Sequence, residues 1–542
     1  MSSCTPRCAI QTSQPVSNLY HSASTGPRLS VNPARRALRH LTDVPGGPFG
    51  QESCAHRSNL SRRKGRLVTT DSTLPYITAT EAISRFRNRS LSPVELMEAV
   101  IQRAEDTNGT LNCLTHEYFE RALQQAREAE KTYATNPDSA RPLEGVPCAI
   151  KDWHSVEGEI TTYGSRLFKD FRPDQTAPAV ERLLESGAIM HCRTTTPEHA
   201  HAGVTRSPLW GVTRNPWNLD YSPGGSSGGS GAAVAAGLTT IADGTDGGGS
   251  IRIPASASGI FGYKAPFGRN PTDREHPSEA VLHYGPLTRS VADAALMQNV
   301  ISGQHPADPH SLRDKVTIPS SFQSIKGMRV ALSMDLGYFD VSAEVEANTR
   351  ALADTLESLG CIVEEIHLGW DERVFDAWLT TWEGLFWALA GDQLTDHRDE
   401  LDPFVVKLIE SGSQRTLKEF YGVNATRLSM YQEINKKVFD SYDVMITPTL
   451  AVPSVLADHA NDDESFTIDG RPASAYLGWA MTYPFNILST LPVASVPSGF
   501  SPTTGVPTGM QIVGKAYDDL TVFQLSAALE EATQWANRVP SL

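Results

Sequence analysis

Between Tyr221 and Ala255 the chain carries two glycine-serine clusters, Gly224–Gly231 and Gly247–Ser250, joined by a short alanine-rich segment. Glycine loses more conformational freedom on folding than any other residue, so a run of it needs a backbone reason: positive φ, or close approach of backbone to a ligand. Consecutive glycines let several backbone N–H groups point at one spot, the arrangement that holds a developing oxyanion. Ser250 stands at the end of the second cluster, placed to attack the carbonyl whose oxygen Gly247, Gly248 and Gly249 would hold.

A serine hydroxyl is a poor nucleophile until a neighbour takes its proton. No histidine lies in residues 221–255, but two further serines do, Ser226 and Ser227. Upstream, Lys151 follows the apolar run Val146-Pro147-Cys148-Ala149-Ile150 and precedes Asp152. A lysine behind such a run can lose its charge by desolvation and become a base. The residues thus suggest a Ser–Ser–Lys relay, without separating Ser226 from Ser227 as the bridge. Asp246 and Arg252 read as a pair bracing the loop that bears Ser250.

Gly224-Gly225-Ser226-Ser227-Gly228-Gly229-Ser230, then Gly244-Thr245-Asp246-Gly247-Gly248-Gly249-Ser250-Ile251-Arg252-Ile253-Pro254, resembles the amidase signature family. The upstream Ala149-Ile150-Lys151-Asp152 fits as well, and the likeness runs from about Tyr76 to the C-terminus, weakest over Asp371–Lys437. The resemblance implies Ser250 as nucleophile, Ser226 as bridging hydroxyl in a cis peptide bond, and Lys151 as base. It implies Gly247–Gly249 as oxyanion hole, with Ser227 in support. The activity it implies is hydrolysis of a carboxylic amide through an acyl-enzyme, with neither metal nor organic cofactor. The Thr-Asp-Gly-Gly-Gly-Ser form of the loop is similar to acylamidases, aryl acylamidases and amide-oligomer hydrolases. An apolar or aromatic amide is therefore the expected small-molecule substrate, with some esterase or carbamate activity. Two other readings stand beside it. One is the family's A-type amidotransferase subunit, which passes ammonia to a partner; residues 371–437 lack the Tyr-Asp-Gly-x-Arg-Tyr-Gly type of segment associated with that branch. The other is a non-catalytic binding protein on the same fold, against which every catalytic position is present.

Other local patterns point elsewhere and fail. Gly225-x-Ser227-x-Gly229 fits a nucleophile elbow, but that turn needs a hydrophobic strand before the serine, and Asn215–Pro223 reads as a loop. A phosphate cradle would need Gly-Lys-[Ser/Thr] after the glycines, and none follows. His199 and His201 form an H-x-H without companion ligands at zinc spacing, so they read as a histidine pair in a pocket-edge loop.

Net charge of −15 argues against a nucleic-acid-binding surface. The seven cysteines are odd in number and scattered, which suits a reducing compartment rather than a disulfide framework. No stretch reaches the roughly 18 apolar residues of a membrane span. The expected location is the cytoplasm. Residues 1–68 are rich in Ser, Pro and Arg and almost free of acids, the composition of a disordered extension, a transit segment or a translated leader. Organellar import would follow only if they are a genuine transit segment. A homodimer is compatible with the sequence, which does not fix the oligomeric state.

Strand and helix patterns alternate through residues 69–542, which predicts a single large α/β/α layered domain with a mixed central sheet. Its signature core spans about 145–300. Gly145–Ile150, Ala188–Cys192, Arg329–Ser333, Ile362–Ile366, Asp443–Thr447, Val493–Val496 and Gln511–Val513 read as strands. Helices are expected after Ser92-Pro93-Val94-Glu95 and over Glu117–Tyr133, Ala179–Ser186, Gly231–Ala236, Glu344–Leu359 and Leu520–Trp535. Residues 371–437 break the rhythm with a helical insertion on the substrate side. It contains Phe375, Trp378, Trp382, Phe386, Trp387, Phe404 and Phe420, which form a subdomain core with at least one ring facing the pocket.

Overall fold

The computed structural model describes residues 73–272 and 280–542; the reading of residues 1–68 lies outside them. Ser92 and Glu95 close a reciprocal capping box around Pro93. The helix Pro93–Leu111 that follows buries Leu96, Met97, Val100, Ile101 and Ala104, the face that the apolar spacing predicts.

Eleven strands form one sheet. In chain order they are β1 (Leu114–Glu117), β2 (Pro147–Lys151), β3 (Ile189–Thr194), β4 (Ile241–Asp246), β5 (Phe261–Lys264) and β6 (His283–Thr288). Then come β7 (Arg329–Leu332), β8 (Ile362–Glu365), β9 (Val444–Pro448), β10 (Val493–Phe500) and β11 (Pro507–Gly514). Their order across the sheet is β1-β3-β2-β4-β6-β5-β10-β11-β9-β7-β8. Pairing is parallel where β2 meets β3 and β4, and where β7 meets β8 and β9. Every pair between β4 and β9 is antiparallel, as is β1 with β3. The mixed sheet expected from the alternating pattern is therefore present. The helix Ala343–Ser358 connects the parallel pair β7 and β8.

Several boundaries differ from the sequence reading, three of them helix starts. Glu117 ends an edge strand, so the helix expected from that residue spans Phe119–Thr135 instead. The closing helix is Asp519–Thr533. The helix expected from Gly231 begins a turn earlier and spans Gly228–Ala235. Its glycines are poor helix formers, and close packing overrides propensity there: a Cβ at Gly229 would lie 2.4 Å from the Thr195 backbone nitrogen.

Residues 371–437 fold largely into the helices Arg373–Ala390, Gln393–His397, Pro403–Gln414 and Leu417–Ile434. Trp378, Trp382 and Phe386 are buried in the same apolar cluster as Tyr476 and Tyr483, whereas Trp387 and Phe420 reach the surface. Cys113, Cys148, Cys192 and Cys361 are free and buried. Among the described residues no helix is long and apolar enough to cross a membrane.

Candidate active site

β2 and β4 are parallel neighbours, Cys148 opposite Ile241 and Ala149 opposite Ala242, so their carboxyl ends leave the sheet side by side. Lys151 ends one strand, and Thr245 and Asp246 end the other. The helix Gly228–Ala235 packs on both strands, with Ala232, Ala233 and Ala235 buried. Its N-cap is Ser227, which delivers Ser226 and Ser227 to the lysine.

The Lys151 side-chain nitrogen, Nζ, lies 2.7 Å from Ser226 Oγ, 3.0 Å from Ser227 Oγ and 2.7 Å from Thr245 Oγ1. The side chain is fully buried, and among the described residues no carboxylate forms an ion pair with it. Burial pushes the amine down from the usual lysine range to about 7, against an opposing pull from Asp243 and Asp246. The neutral amine is then within reach near physiological pH, and it can accept a proton.

The two serines beside it differ in what else they touch. Ser227 Oγ accepts from the Thr245 N–H at 3.2 Å and donates to the Thr245 carbonyl at 3.4 Å, so its proton is committed to β4. Ser226 Oγ has Lys151 as its sole hydrogen-bond partner among the described residues. The Gly225–Ser226 peptide bond is cis. Ser250 is held against the pair by a backbone bond from the Ser227 N–H to the Ser250 carbonyl at 3.2 Å. Its hydroxyl has no hydrogen-bond partner among the described residues, and Ser250 is 8% exposed where Ser226 and Ser227 are sealed.

The glycine loop is anchored through its carbonyls. Asn486 Nδ2 donates to the Asp246 carbonyl at 2.9 Å and Trp378 Nε1 to that of Gly247 at 2.9 Å. Thr482 Oγ1 donates to the Gly248 carbonyl at 2.6 Å and the Ile253 N–H to that of Gly249 at 2.7 Å. In a trans peptide the N–H points opposite its C=O. Pinning four successive carbonyls therefore turns the amides of Gly247, Gly248, Gly249 and Ser250 the other way. Gly249 has φ of +129°, and a Cβ there would sit 2.0 Å from Thr482 Oγ1, so only glycine fits.

Asp246 and Arg252 form the expected brace, both side chains sealed from solvent. Arg252 Nε and Nη2 reach the two carboxylate oxygens at 2.9 and 2.8 Å. The guanidinium also donates to the Thr482 carbonyl, Gln511 Oε1 and Asn486 Oδ1. Burial alone would raise the Asp246 pKa, but the Arg252 charge and hydrogen bonds from Arg252 and Asn486 hold it well below the carboxylate range.

Thr245, Asp243, His154, Trp378, Thr482, Asn486 and Gln511 complete this constellation. Asp243 and Thr245 are two apart on β4 and share the face toward Lys151, a period-two signal legible in the sequence. Trp378 belongs to the aromatic segment already noted; its ring and that of Trp382 lie on the loop, where a Cβ at Gly248 or Gly247 would meet them at 2.7 Å. Thr482, Asn486 and Gln511 arrive from the far end of the chain, with no local pattern to mark them.

His199 and His201 diverge. His199 Nε2 meets Gln393 Oε1 at 3.1 Å, while His201 is buried with Nδ1 on the Glu198 carbonyl at 2.8 Å. Among the described residues no group of His, Cys, Asp or Glu is arranged to hold a metal ion.

The family model described as Amidase matches residues 95–523. An acylamidase from Rhodococcus erythropolis is 34% identical over 483 residues, covering 87% of this chain and 98% of the relative. The A-type subunit of glutamyl-tRNA(Gln) amidotransferase from Moorella thermoacetica is 31% identical over 497 residues, covering 86% and 99%. The crystal structure of a bacterial aryl acylamidase of the amidase signature enzymes superposes with a TM-score of 0.77 at 31% identity, covering 85% of this chain and 98% of that one. In sequence and in fold the likeness runs over nearly the whole length of these proteins, and the chain belongs to the amidase signature family of amide hydrolases.

Proposed function

We propose that the protein hydrolyses a non-peptide carboxylic amide through an acyl-enzyme on Ser250, with Ser226 as proton bridge and Lys151 as base. The observation that carries this reading is the buried amine held 2.7 Å from a serine hydroxyl whose proton is otherwise uncommitted. Ser250 Oγ attacks the amide carbon as its proton passes to Ser226 and the Ser226 proton passes to neutral Lys151. The carbonyl oxygen takes up the negative charge and is met by the amides of Gly247, Gly248 and Gly249, joined by that of Ser250. Collapse breaks the C–N bond. Ser226 protonates the departing nitrogen and recovers its own proton from Lys151. Water then enters by the same relay, attacks the ester and releases the acid and Ser250.

Trp378 stacks on Trp382 at 5.5 Å and meets Tyr483 at 5.5 Å and Phe375 at 6.0 Å, directly over the glycine loop. These rings back the loop proposed to hold the reacting carbonyl, and we assign an apolar or aromatic acyl or aryl amide as the substrate, with esterase or carbamate side activity. The resemblance to an acylamidase and an aryl acylamidase supports the same class. We assign the hydrolase to residues 69–542 with residues 371–437 on the substrate side, and place it in the cytoplasm, in keeping with its unpaired buried cysteines.

The test is a panel of anilides, aliphatic amides, esters and carbamates assayed with wild type and Ser250→Ala. Turnover of an apolar amide that disappears with Ser250→Ala supports the proposal, and turnover that survives it overturns it. The relative from Moorella thermoacetica favours a second reading, ammonia delivery to a partner. Glutaminase activity with inert anilides would select that reading instead.

A further inference from the structure

Lys151 ends β2, and the chain turns at once: the His154 N–H donates to the Lys151 carbonyl at 3.2 Å. Arg193 Nη2, from β3, donates to the carbonyls of both residues, at 3.1 and 2.6 Å, and so fixes the turn. The turn carries the His154 ring to Asp243 on β4, whose two carboxylate oxygens are divided. One accepts the Lys151 N–H at 2.7 Å, and the other meets His154 Nδ1.

On the far side of the ring, Nε2 is buried with no hydrogen-bond partner among the described residues. The ring stands edge-on to Tyr284, centroids 4.7 Å apart. A doubly protonated imidazole would leave a buried N–H there without an acceptor. Nδ1, the ring nitrogen that has a partner, is the one placed to donate, and Asp243 is its acceptor.

The relay from Ser250 to Lys151 uses no atom of this histidine, yet His154 is 1% exposed and directly behind the base. Its effect passes through Asp243. A buried carboxylate needs donors to meet it, and Asp243, 4% exposed, has the Lys151 backbone and His154. That charge is the larger of the two that pull the Lys151 amine upward against burial; the other is Asp246, which already faces Arg252. The remaining groups nearby are occupied elsewhere. Asp152 faces Arg193 at 3.8 Å and accepts the Thr162 N–H at 2.9 Å. The Cys148 thiol, buried on β2, is pushed up by burial and stays protonated.

We propose that His154 is a positioning residue for the base: its Nδ1–H holds the Asp243 carboxylate turned toward Lys151, so that a counter-charge stands behind the amine. The inference rests on the reading of Lys151 as base. Removing the donor frees the Asp243 side chain to turn away from the amine, and the pull on Lys151 is weakened. His154→Phe should then act as Asp243→Asn does, although the two residues carry different charges and shapes.

The test is the pH dependence of kcat/KM between pH 5 and 9, with the rate of Ser250 labelling by a fluorophosphonate as a second readout independent of product release. Asp243→Asn and His154→Phe should each move the acidic limb down by about one pH unit. Their combination should move it no further, because both act through the same carboxylate. His154→Asn, whose amide N–H takes the place of the ring's, should return the limb toward wild type. Should the phenylalanine fail to fold, His154→Leu removes the donor with a smaller side chain and carries the same expectation. A limb that moves with Asp243→Asn but not with loss of the His154 donor, or shifts that add in the double variant, would overturn the role of His154 and leave the base in place. A wild-type profile with no acidic limb would remove the base, and this inference with it.

Discussion

Ser226 Oγ and Ser227 Oγ sit 2.7 and 3.0 Å from the same amine, but only Ser227 is also tied to β4, through the Thr245 backbone. Their substitutions should separate accordingly. Ser226→Ala breaks the path to the nucleophile and should lower kcat by about 10²–10⁴ with little change in melting temperature. Ser227→Ala leaves the Thr245 N–H without its acceptor, so a stability loss of about 1–3 kcal/mol should accompany a smaller rate effect. Calorimetry and kinetics on the pair decide it, and equal rate losses would contradict the assignment of the bridge.

The wild-type pH profile follows from the amine between them. A lysine whose folded pKa is lowered from 10.5 to about 7 is neutral above that value and protonated below it. Because the base must be neutral to act, kcat/KM should fall about tenfold per pH unit below the midpoint and level off above it. Steady-state assays on a chromogenic anilide check this. A rate that rises toward acid would remove Lys151 from the role of base.

Trp378 fixes the glycine loop through one hydrogen bond to the Gly247 carbonyl. Trp378→Phe keeps a ring over the loop but releases that carbonyl, so the Gly248 amide loses its aim. We expect kcat to fall by roughly tenfold or more, short of the 10²–10³ that follows outright removal of an oxyanion donor. An ester with a good leaving group should suffer less than an anilide. Parallel turnover measurements on the two substrates test the difference.

The layered mixed-sheet fold was legible from the alternation of strand and helix patterns. Lys151, Ser226, Ser227, Ser250 and Gly247–Gly249 lie in short stretches whose composition has few structural uses, which made them candidates without a fold, while the choice of Ser226 over Ser227 came from the family resemblance. Asp243 and Thr245 were within reach, since alternation along β4 places them on one face. His154 was not: a lone histidine three residues past a lysine acquires a partner only when the turn after β2 and the end of β4 meet. Thr482, Asn486 and Gln511 escaped for the same reason, each ordinary in its own segment until β10, β11 and the loop before them close over the site. Helix starts blurred because Gly228 and Gly229 resist helix formation locally and are forced into it by Thr205 and Thr195, against which they pack.

The Asp246–Arg252 brace carries the last prediction, because both side chains are sealed from water. Arg252→Met leaves a buried carboxylate with its Asn486 contacts and only the weaker pull of the buried Lys264, which should cost about 3–5 kcal/mol at neutral pH. The sign with pH is informative. In wild type the folded Asp246 pKa lies below its unfolded value, so the stabilisation is present above the unfolded pKa and is lost as pH falls through the folded one. Without Arg252, burial raises the folded pKa above the unfolded value, and acid then relieves the variant by protonating the carboxyl. The gap in urea midpoint between wild type and Arg252→Met should therefore narrow as pH is lowered from 7.5 toward 5. Adding Asp246→Asn to the variant should recover part of the loss at pH 7.5 and flatten the pH dependence, since no buried charge remains to be neutralised. A gap that stays constant with pH would mean that lost packing around the guanidinium, and not the stranded charge, is what the substitution removes.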